Sequence, residues 1–222
     1  MKNLTLIIPT KKERESLPIF LDEIKKFDCK KLIVLEKDDK ETIEIIKKDE
    51  NIELLFQNHK GYGRAVIEGM NYSKTEYSCI INADGSMDPN DLEKMLQECR
   101  DKDFVFNSRY LYPGGGSEDD TIVTLIGNKI FSFLGNIFFK LNISDILFTY
   151  LIGKTKSFQK LNLTYHDFRL CVEIPIKAKK NKLLYKSMPS YERSRIAGKK
   201  KVNAIKDGFL ILFGMVSLFF RK

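Results

Sequence analysis

The sequence has few of the residues from which metal clusters and disulfide frameworks are built. Its four cysteines lie far apart without a Cys-x-x-Cys pair, and His59 and His166 have no partner at ligand spacing. Structural zinc sites and disulfide scaffolds need such clusters, so both are excluded as organising features. We expect reduced thiols in a cytoplasmic protein.

Internal repeats, low-complexity tracts and a secretory leader are also missing. The first residues run directly into an apolar strand stopped by Pro9, without a cationic segment, a long apolar region or a small-residue cleavage site. We therefore expect no secretory signal. No RNP, helix-turn-helix or zinc-finger pattern is present, which makes nucleic acid the least favoured partner.

Positive charge is abundant but confined to one end of the chain. The net charge is +8, and residues 177–222 hold thirteen Lys and Arg against Glu192 and Asp207. Such a bias suits nucleic acid, an anionic membrane face or a phosphorylated substrate.

Two apolar stretches follow the middle of the chain. The run from 122 to 141 is broken by Asn128, Lys129, Asn136 and Lys140, which argues against a membrane span. The last stretch, from 208 to 220, has no charge and is too short to span alone. We predict a basic amphipathic helix over 201–222 that lies in a membrane interface or docks on a partner; packing on the protein's own core is the alternative.

The first half of the chain alternates short β-rich runs with amphipathic segments. Predicted strands cover residues 4–8, 31–35, 52–56, 77–81 and 103–108, with helical patterns between them. At 222 residues the chain suits one main domain. We predict an α/β fold with a mostly parallel sheet flanked by helices.

Each predicted strand ends on polar residues. These are Pro9 to Glu13, Glu36, Asn58 to Arg64, Asn82 to Asp88, and Ser108 to Tyr110. Ligands of such sheets bind beyond the carboxyl ends of the strands, so these loops are expected to line one crevice.

Two of these loops carry specific signals. Gly61 and Gly63 precede a helix and Arg64, which favours close approach of an anion such as a nucleotide phosphate, although glycine pairs also make simple turns. Asp84 follows a buried strand within Asn-Ala-Asp-Gly-Ser. A carboxylate there can bind Mg²⁺ or Mn²⁺ together with substrate phosphates, or be part of an ordinary Asp-Gly turn.

Taken in order, the segments IIPT..E, GYGRAVIEGM, NADGSMDP, NSRY and GNKIFSFLGN...ISD resemble the family 2 glycosyltransferases. The resemblance covers nearly the whole chain and is strongest to the branch of dolichyl-phosphate mannosyltransferase and polyprenyl-phosphate sugar transferases. It implies a GT-A fold, a Rossmann-like nucleotide-binding sheet whose D-x-D motif carries a divalent metal on the sugar nucleotide.

The resemblance also implies boundaries and roles. Residues 1–200 are expected to form the GT-A domain, with the nucleotide-sugar half at about 1–110 and the acceptor half at about 111–200. The expected catalytic residues are Asp84, Arg109 and Asp145, and the expected metal ligands are Asp84, Asn82 and Ser86. The expected donor-binding residues are Pro9, Thr10, Glu13, Glu36, Gly61, Gly63, Arg64, Asn82, Ala83 and Asp84. The expected acceptor-binding residues are Arg109, Tyr150, Glu173, Arg193, Lys200 and Lys201.

The chain departs from the family pattern at several positions. Lys11 and Lys12 stand where the family has a tyrosine and an asparagine. The stretch LEKDDKET (35–42) replaces the family's V-D-D-x-S-x-D-x-T, which leaves Glu36 as the base-reading carboxylate. Asn82 replaces the first aspartate of the metal motif, and Leu151 stands where an arginine is common.

The implied reaction is inverting transfer of a sugar from a UDP- or GDP-linked donor. A polyprenyl or dolichyl phosphate acceptor at the cytoplasmic membrane face is ionised near neutral pH and needs no protein base. A sugar-hydroxyl acceptor needs one, with Asp145 or Glu173 as candidates. A non-catalytic nucleotide-sugar-binding or membrane scaffold protein is the alternative outside enzymes.

Overall fold

A computed structural model describes residues 1–46, 50–198 and 201–221. Within these residues the chain forms a seven-stranded main sheet in the order β3-β2-β1-β4-β7-β5-β8. Its strands are β1 (Leu4–Thr10), β2 (Lys30–Leu35), β3 (Ile52–Phe56), β4 (Tyr77–Ile80), β5 (Phe104–Ser108), β7 (Leu151–Lys154) and β8 (Tyr185–Pro189). A second, two-stranded sheet pairs β6 (Gly116–Ser117) with β9 (Tyr191–Glu192).

The main sheet is parallel except at one strand. β7 runs antiparallel to both β4 and β5 and lies between them. The five predicted strands correspond to β1 to β5, and the prediction of a mostly parallel sheet is confirmed. The carboxyl ends of β1 to β4 therefore lie at one edge, as parallel pairing requires.

Helices cover both faces of the main sheet. They are α1 (Ser16–Glu23), α2 (Lys40–Glu44), α3 (Tyr62–Tyr72), α4 (Leu92–Glu98), α5 (Ile122–Phe139), α6 (Thr155–Lys160), α7 (Leu170–Lys180) and α8 (Ala204–Phe220). Alternate residues of a buried strand point to opposite faces. Thus Ile7 of β1 packs with α3 and α7, whereas Leu6 and Ile8 pack with α1 and α4.

Helix α5 faces the protein with its polar side. Its buried residues are Asn128, Ser132 and Gly135, and the Ser132 hydroxyl accepts a hydrogen bond from the backbone N–H of Ile146 at 3.0 Å. Large apolar side chains of α5 point outward, namely Ile122, Val123, Ile126, Ile130, Phe133, Ile137 and Phe138. Phe131, Leu134 and Phe139 pack partly buried against the core, but the fully buried positions are small or polar, unlike those of an ordinary surface helix.

Helix α8 has Lys206 and Asp207 in its first turn and no charged residue from Gly208 to Phe220. Ile211, Met215 and Leu218 are buried against the domain, whereas Phe209, Phe213 and Phe220 are more than 60% exposed. It lies beside α5, and the ring centroids of Phe219 and Phe138 are 6.0 Å apart. We call the exposed apolar residues of α5 and α8 together the apolar face.

Among the described residues, one helix, α5, is long and apolar enough to cross a membrane by length and composition alone, with a mean hydropathy of 1.5. The proposed halves, 1–110 and 111–200, share the main sheet, because β7 and β8 come from the second half and flank β5.

Candidate active site

A cleft of about 1030 Å³ lies at the carboxyl edge of β1 and β2. Its lining comes from the loops after both strands, from Lys60 in the loop after β3, and from Ala197 and Gly198 near the end of the chain. Two of the predicted donor-binding residues, Glu13 and Glu36, line this cleft. The loops after β1, β2 and β3 therefore meet in one place, as the sheet order dictates.

Glu36 lies between two lysines. The Lys11 ammonium is 2.9 Å from its Oε1 and the Lys60 ammonium 3.1 Å from its Oε2. Lys60 also contacts Asp38 at 2.7 Å, and that hydrogen bond lowers the pKa of Asp38. The hydrogen bond of Lys60 with Asp38, which has the larger effect, and its hydrogen bond with Glu36 both raise the pKa of Lys60.

Glu13 closes the other side of the cleft. Its Oε2 accepts a hydrogen bond from the Ser16 hydroxyl at 2.5 Å, and its Oε1 pairs with the Lys201 ammonium. The Thr10 hydroxyl donates to the backbone carbonyl of Ile8, so its proton is engaged within β1 itself. Pro9 is half-buried in the same strand.

Asp84 lies in a tight turn four residues after the end of β4. Gly85 has a φ of +74°, a conformation that favours glycine. The backbone N–H and the hydroxyl of Ser86 both donate to Asp84 Oδ1, at 3.1 and 2.8 Å. The carboxylate is thus held in one orientation, and the predicted ligand Ser86 serves to hold it. Ala83 is buried, and Asn82 Oδ1 lies 3.4 Å from the Tyr62 hydroxyl.

The second oxygen of Asp84 contacts an arginine that the family pattern had not singled out. Arg195 Nη1 is 2.9 Å from Asp84 Oδ2. Arg195 lies in the 193–198 segment, which lies against the turn: the Ile196 N–H donates to the Asp84 carbonyl at 2.9 Å. The family resemblance includes a motif Arg-x-x-Gly-x-Ser-Lys, which was placed at Arg193; its spacing is met by Arg195, Gly198 and Lys201, and this spacing is the signal that would have identified Arg195.

Arg193, expected to bind the acceptor, instead supports the turn. Its guanidinium donates to the Gly85 carbonyl and forms a 2.6 Å ion pair with Glu23. Lys201 pairs with Glu13 at the cleft, and Lys200 lies outside the described residues.

Arg109 and Asp145, both expected at the reacting centre, form a buried ion pair. Nε and Nη2 of Arg109 lie 2.7 and 3.0 Å from the two oxygens of Asp145, and the Arg109 N–H donates to the same carboxylate. Arg109 also contacts Glu192 at 3.1 Å and lies over the Phe148 ring. Burial lowers the pKa of Arg109, but the charge and hydrogen bonds of Asp145 outweigh burial and raise it.

Two other predicted acceptor residues are engaged inside the protein. Glu173 is fully buried and accepts hydrogen bonds from the backbone N–H groups of Thr164 and Tyr165, besides pairing with Lys177. Tyr150 is fully buried and donates to the Asp88 carbonyl at 2.8 Å; burial raises its pKa, so the hydroxyl stays a donor. This geometry argues against acceptor contact by either side chain.

Gly61 and Gly63, at the start of α3, approach protein backbone and not a ligand. A Cβ at Gly61 or Gly63 would overlap the carbonyl oxygens of residues 165–167. The Arg64 N–H donates to the His166 carbonyl, and the Arg64 side chain pairs with Glu68 at 2.9 Å. The anion site expected at the start of this helix is therefore filled by the 165–167 loop.

The residues around Asp84 fit a divalent cation that also takes ligands from its substrate. In the part of the chain that the structure describes, no group of three His, Cys, Asp or Glu side chains could hold a metal alone. Mg²⁺ is commonly held by one or two carboxylates together with substrate phosphates and water. Asp84 and the Asn82 amide are therefore enough as the ligands that the protein itself supplies.

An acidic turn beyond the carboxyl ends of a mostly parallel sheet is the place where α/β proteins of the nucleotide-binding class hold their ligands. The model of glycosyl transferase family 2 matches residues 5–161, and the chain belongs to this family. An uncharacterised glycosyltransferase of Mycobacterium tuberculosis and one of Mycobacterium bovis are 30% identical to it over 95 residues. The match spans 43% of this chain and 43% of the length of those relatives.

Solved structures share the GT-A fold across the whole chain. Glucosyl-3-phosphoglycerate synthase from Mycobacterium tuberculosis, in complex with Mn²⁺, UDP and phosphoglyceric acid, superposes with a TM-score of 0.73 at 9% identity, over 100% of this chain and 80% of that one. The same synthase with Mg²⁺ and UDP gives a TM-score of 0.69 at 10% identity, over 98% and 79% of the two chains. The predicted fold class is confirmed.

Proposed function

We propose that the protein is an inverting glycosyltransferase that moves a sugar from a nucleoside-diphosphate donor to a lipid phosphate at a membrane surface. The donor part is supported by family membership and by the cleft lined by Glu13, Glu36 and Gly198, whose neighbour Ile196 donates to the Asp84 carbonyl. The resemblance to the dolichyl-phosphate mannosyltransferase branch supports the lipid acceptor. The observation that carries the acceptor is the orientation of α5, with small or polar residues fully buried and large apolar residues outside.

Asp84 and Asn82 would hold a divalent cation, Mg²⁺ or Mn²⁺, on the donor diphosphate. When bound, such a cation neutralises the negative charge that develops on the departing diphosphate. The solved synthase complexes contain UDP with Mn²⁺ or Mg²⁺, which supports the same cofactor class for this chain. Ser86 holds the Asp84 carboxylate in one orientation by its two hydrogen bonds.

Arg195 is the second positive charge available to the leaving group. Its guanidinium now neutralises Asp84, and a cation at Asp84 Oδ2 would release it within reach of the diphosphate. Guanidinium groups bind phosphate oxygens in a bidentate manner, so the released group would stabilise the same developing charge.

The state of Asp145 and Glu173 favours an acceptor that arrives ionised. A hydroxyl acceptor must lose its proton to a base, but Asp145 is occupied by Arg109 and Glu173 by backbone N–H groups. A phosphate acceptor is already an anion near neutral pH and needs neither carboxylate. Both residues are better assigned to the framework than to proton transfer.

The apolar face begins beside the reaction centre. Asp119, which contacts Arg195 at 3.4 Å, lies three residues before α5, and Lys201, which pairs with Glu13, lies three residues before α8. A lipid phosphate could therefore reach Asp84 while its chain stays in the bilayer. We propose peripheral attachment to the cytoplasmic face, with Lys201, Lys206 and Arg221 near anionic headgroups.

A transfer assay with separate acceptors tests this proposal. Labelled UDP- and GDP-linked sugars are supplied with polyprenyl phosphate in anionic vesicles, with 3-phosphoglycerate, or with a methyl glycoside. We expect label in the lipid fraction, and at least about a hundredfold less with Asp84→Asn. Transfer to 3-phosphoglycerate or to the glycoside, without transfer to the lipid, would overturn the lipid acceptor. The absence of both sugar transfer and donor hydrolysis in every arm would favour the non-catalytic alternative.

A further inference from the structure

A second cavity, of about 770 Å³, lies beside β8 and shares no lining residue with the cleft at the end of β1 and β2. It is bounded by the end of α5, by the loop 141–144 and by the segment that leads from α7 into β8. The proposed sugar transfer makes no use of this cavity. Its lining therefore needs an explanation of its own.

The walls of the cavity are held together by hydrogen bonds. The Asn136 side chain donates to the Ile143 carbonyl and accepts from the Ile143 N–H, both at 2.9 Å, which fixes the loop 141–144 against α5. The Tyr185 hydroxyl donates to the Leu141 carbonyl at 2.7 Å and so ties β8 to the same loop. The shape of the cavity is therefore set by the protein before any ligand binds.

The charged side chains that line the cavity are all lysines. Lys186 is paired with Glu98 at 2.6 Å, whereas the ammonium groups of Lys179 and Lys182 make no hydrogen bond or ion pair with any residue that the structure describes. No Asp or Glu of the described chain lines the cavity. Two exposed positive charges without a counter-charge favour an anionic ligand.

Ser187 adds hydrogen-bond donors to this lining. Its hydroxyl is buried and has no partner within the described part of the chain. β8 is the last strand of the main sheet, and its even-numbered neighbours bond to β5, as the Ser190 N–H does to the Ser108 carbonyl. The Ser187 N–H therefore points to the open edge. An oxygen acceptor bound there would remove the cost of an unpaired buried hydroxyl.

The remaining lining is apolar and lies next to the membrane side of the protein. Leu141 and Leu184 line the cavity, and Leu184 is 60% exposed at its rim. Asn136 also lines it, and the next residue of α5, Ile137, belongs to the apolar face. A ligand that matches this cavity carries an anionic group and an apolar part in the same molecule.

We infer that the cavity binds the headgroup of an anionic membrane phospholipid. Lys179 and Lys182 bind the phosphate, Ser187 donates to a phosphate oxygen, and the acyl chains run past Leu184 to the apolar face. A free phosphate or an acidic peptide would match the lysines but leave Leu184 in water. The inference rests on the proposed membrane attachment and is independent of the sugar transfer.

Titration with soluble short-chain lipids measures this site without a membrane. The probes are dihexanoyl phosphatidylglycerol, dihexanoyl phosphatidylcholine, glycerol 3-phosphate and hexaglutamate, each added to the full chain below the micelle concentration. Amide NMR signals of residues 182–187 report where they bind. We expect saturable shifts with the phosphatidylglycerol and at least about tenfold weaker binding of the other three, which lack either the net negative charge or the apolar part.

The other outcomes are distinct. Glycerol 3-phosphate or hexaglutamate that binds as tightly as the phosphatidylglycerol would overturn the lipid assignment, in favour of a free phosphate or an acidic peptide. Equal affinity for the phosphatidylcholine would overturn the role of the lysines. Shifts that leave residues 182–187 unchanged would overturn the location.

Substitutions locate the binding in these residues. The double change Lys179→Gln with Lys182→Gln should weaken phosphatidylglycerol at least about tenfold. Lys156→Gln with Lys160→Gln is the matched control, because it removes the same charge from two exposed lysines of α6 that do not line the cavity. Leu184→Ser should weaken the lipid and leave the binding of glycerol 3-phosphate unchanged. An equal loss in both double variants would mean that net charge alone attracts the lipid, and would overturn the site.

Thermal unfolding of each variant without ligand checks that the fold is retained. A folded Lys179→Gln, Lys182→Gln variant with wild-type affinity would overturn the inference. The titration contains neither a membrane nor a sugar nucleotide, so such a failure leaves the proposed attachment and transfer standing. Failure of the wild-type protein to bind anionic vesicles would instead contradict the attachment, and with it a membrane lipid as the natural ligand.

Discussion

The guanidinium of Arg195 lies on the carboxylate of Asp84, with Nη1 2.9 Å from Oδ2. The two residues are more than a hundred positions apart in the chain, and the contact places a cation where the proposed metal would bind. Two cations at one carboxylate oxygen repel each other. In the nucleotide-free protein, Arg195 therefore competes with a metal ion for Asp84 Oδ2.

We therefore predict that Arg195→Met increases the affinity of the nucleotide-free protein for Mn²⁺. A partly exposed ion pair is worth up to about 1 kcal/mol, which corresponds to about fivefold in affinity. Electron paramagnetic resonance of Mn²⁺ measures the change, with Arg195→Lys as a control that keeps the charge. Weaker Mn²⁺ binding by Arg195→Met would mean that the arginine helps to form the metal site.

The ion pair of Arg109 and Asp145 should contribute to stability. Asp145→Asn removes the two-oxygen partner of a buried guanidinium and leaves it only Glu192 at 3.1 Å and Asp120 at 3.7 Å as counter-charges, and breaking such a buried pair costs about 3 kcal/mol of unfolding free energy. Urea unfolding measures it, and Asp101→Asn, at an exposed pair with Lys102, should change nothing measurable. A variant Asp145→Asn with native stability and no transfer would restore the catalytic role expected from the family pattern.

Gly63 should matter for folding and not for nucleotide affinity. Alanine there would push its Cβ into the carbonyls of the 165–167 loop, at a cost of about 1 to 3 kcal/mol. Gly127→Ala is the matched control, since no atom lies within 4 Å of a Cβ at that helical position, and it should stabilise α5 by up to about 1 kcal/mol. Loss of UDP affinity in Gly63→Ala with unchanged unfolding would instead support a phosphate-binding loop.

Membrane attachment should depend on the outward side chains of α5. The double change Ile130→Ser with Phe133→Ser removes two large apolar groups that are 51% and 62% exposed, and should lower partitioning to anionic vesicles about tenfold or more. Ile19→Ser is the matched control: Ile19 is 56% exposed on α1, which packs on the other face of the main sheet. Point changes are preferable to removal of α8, because Ile211, Met215 and Leu218 are part of the core.

Partitioning that is equal for the wild type, the double variant and Ile19→Ser would contradict attachment through the apolar face. High salt should weaken binding as well, since the basic residues around α8 act through screened charge.

The sequence predicted the strands that have strong local patterns. β1 to β5 are apolar runs separated by helices, and that alternation is readable without tertiary information. β7 and β8 were missed because Leu151–Lys154 is short and Tyr185–Pro189 holds Lys186 and a proline. Both are fixed by pairing with β5, which is far away in sequence.

The site residues were predictable where their position depends only on the end of a predicted strand. Glu13, Glu36 and Asp84 come within four residues of the ends of β1, β2 and β4 and lie at the predicted edge. Partners across the chain were not predictable, since nothing near Gly63 indicates residues 165–167, and nothing near Asp84 indicates Arg195. The outward apolar side of α5 needed the structure as well, because its sequence carries both polar and apolar stripes.

The measurement that tests the account most directly is the affinity of UDP with and without Mn²⁺, for the wild type and for Asp84→Asn. If Asp84 anchors a cation on the donor diphosphate, Mn²⁺ should increase the wild-type affinity by about tenfold or more and leave that of Asp84→Asn unchanged. Wild-type binding that is indifferent to Mn²⁺, or an equal increase in Asp84→Asn, would contradict the central claim.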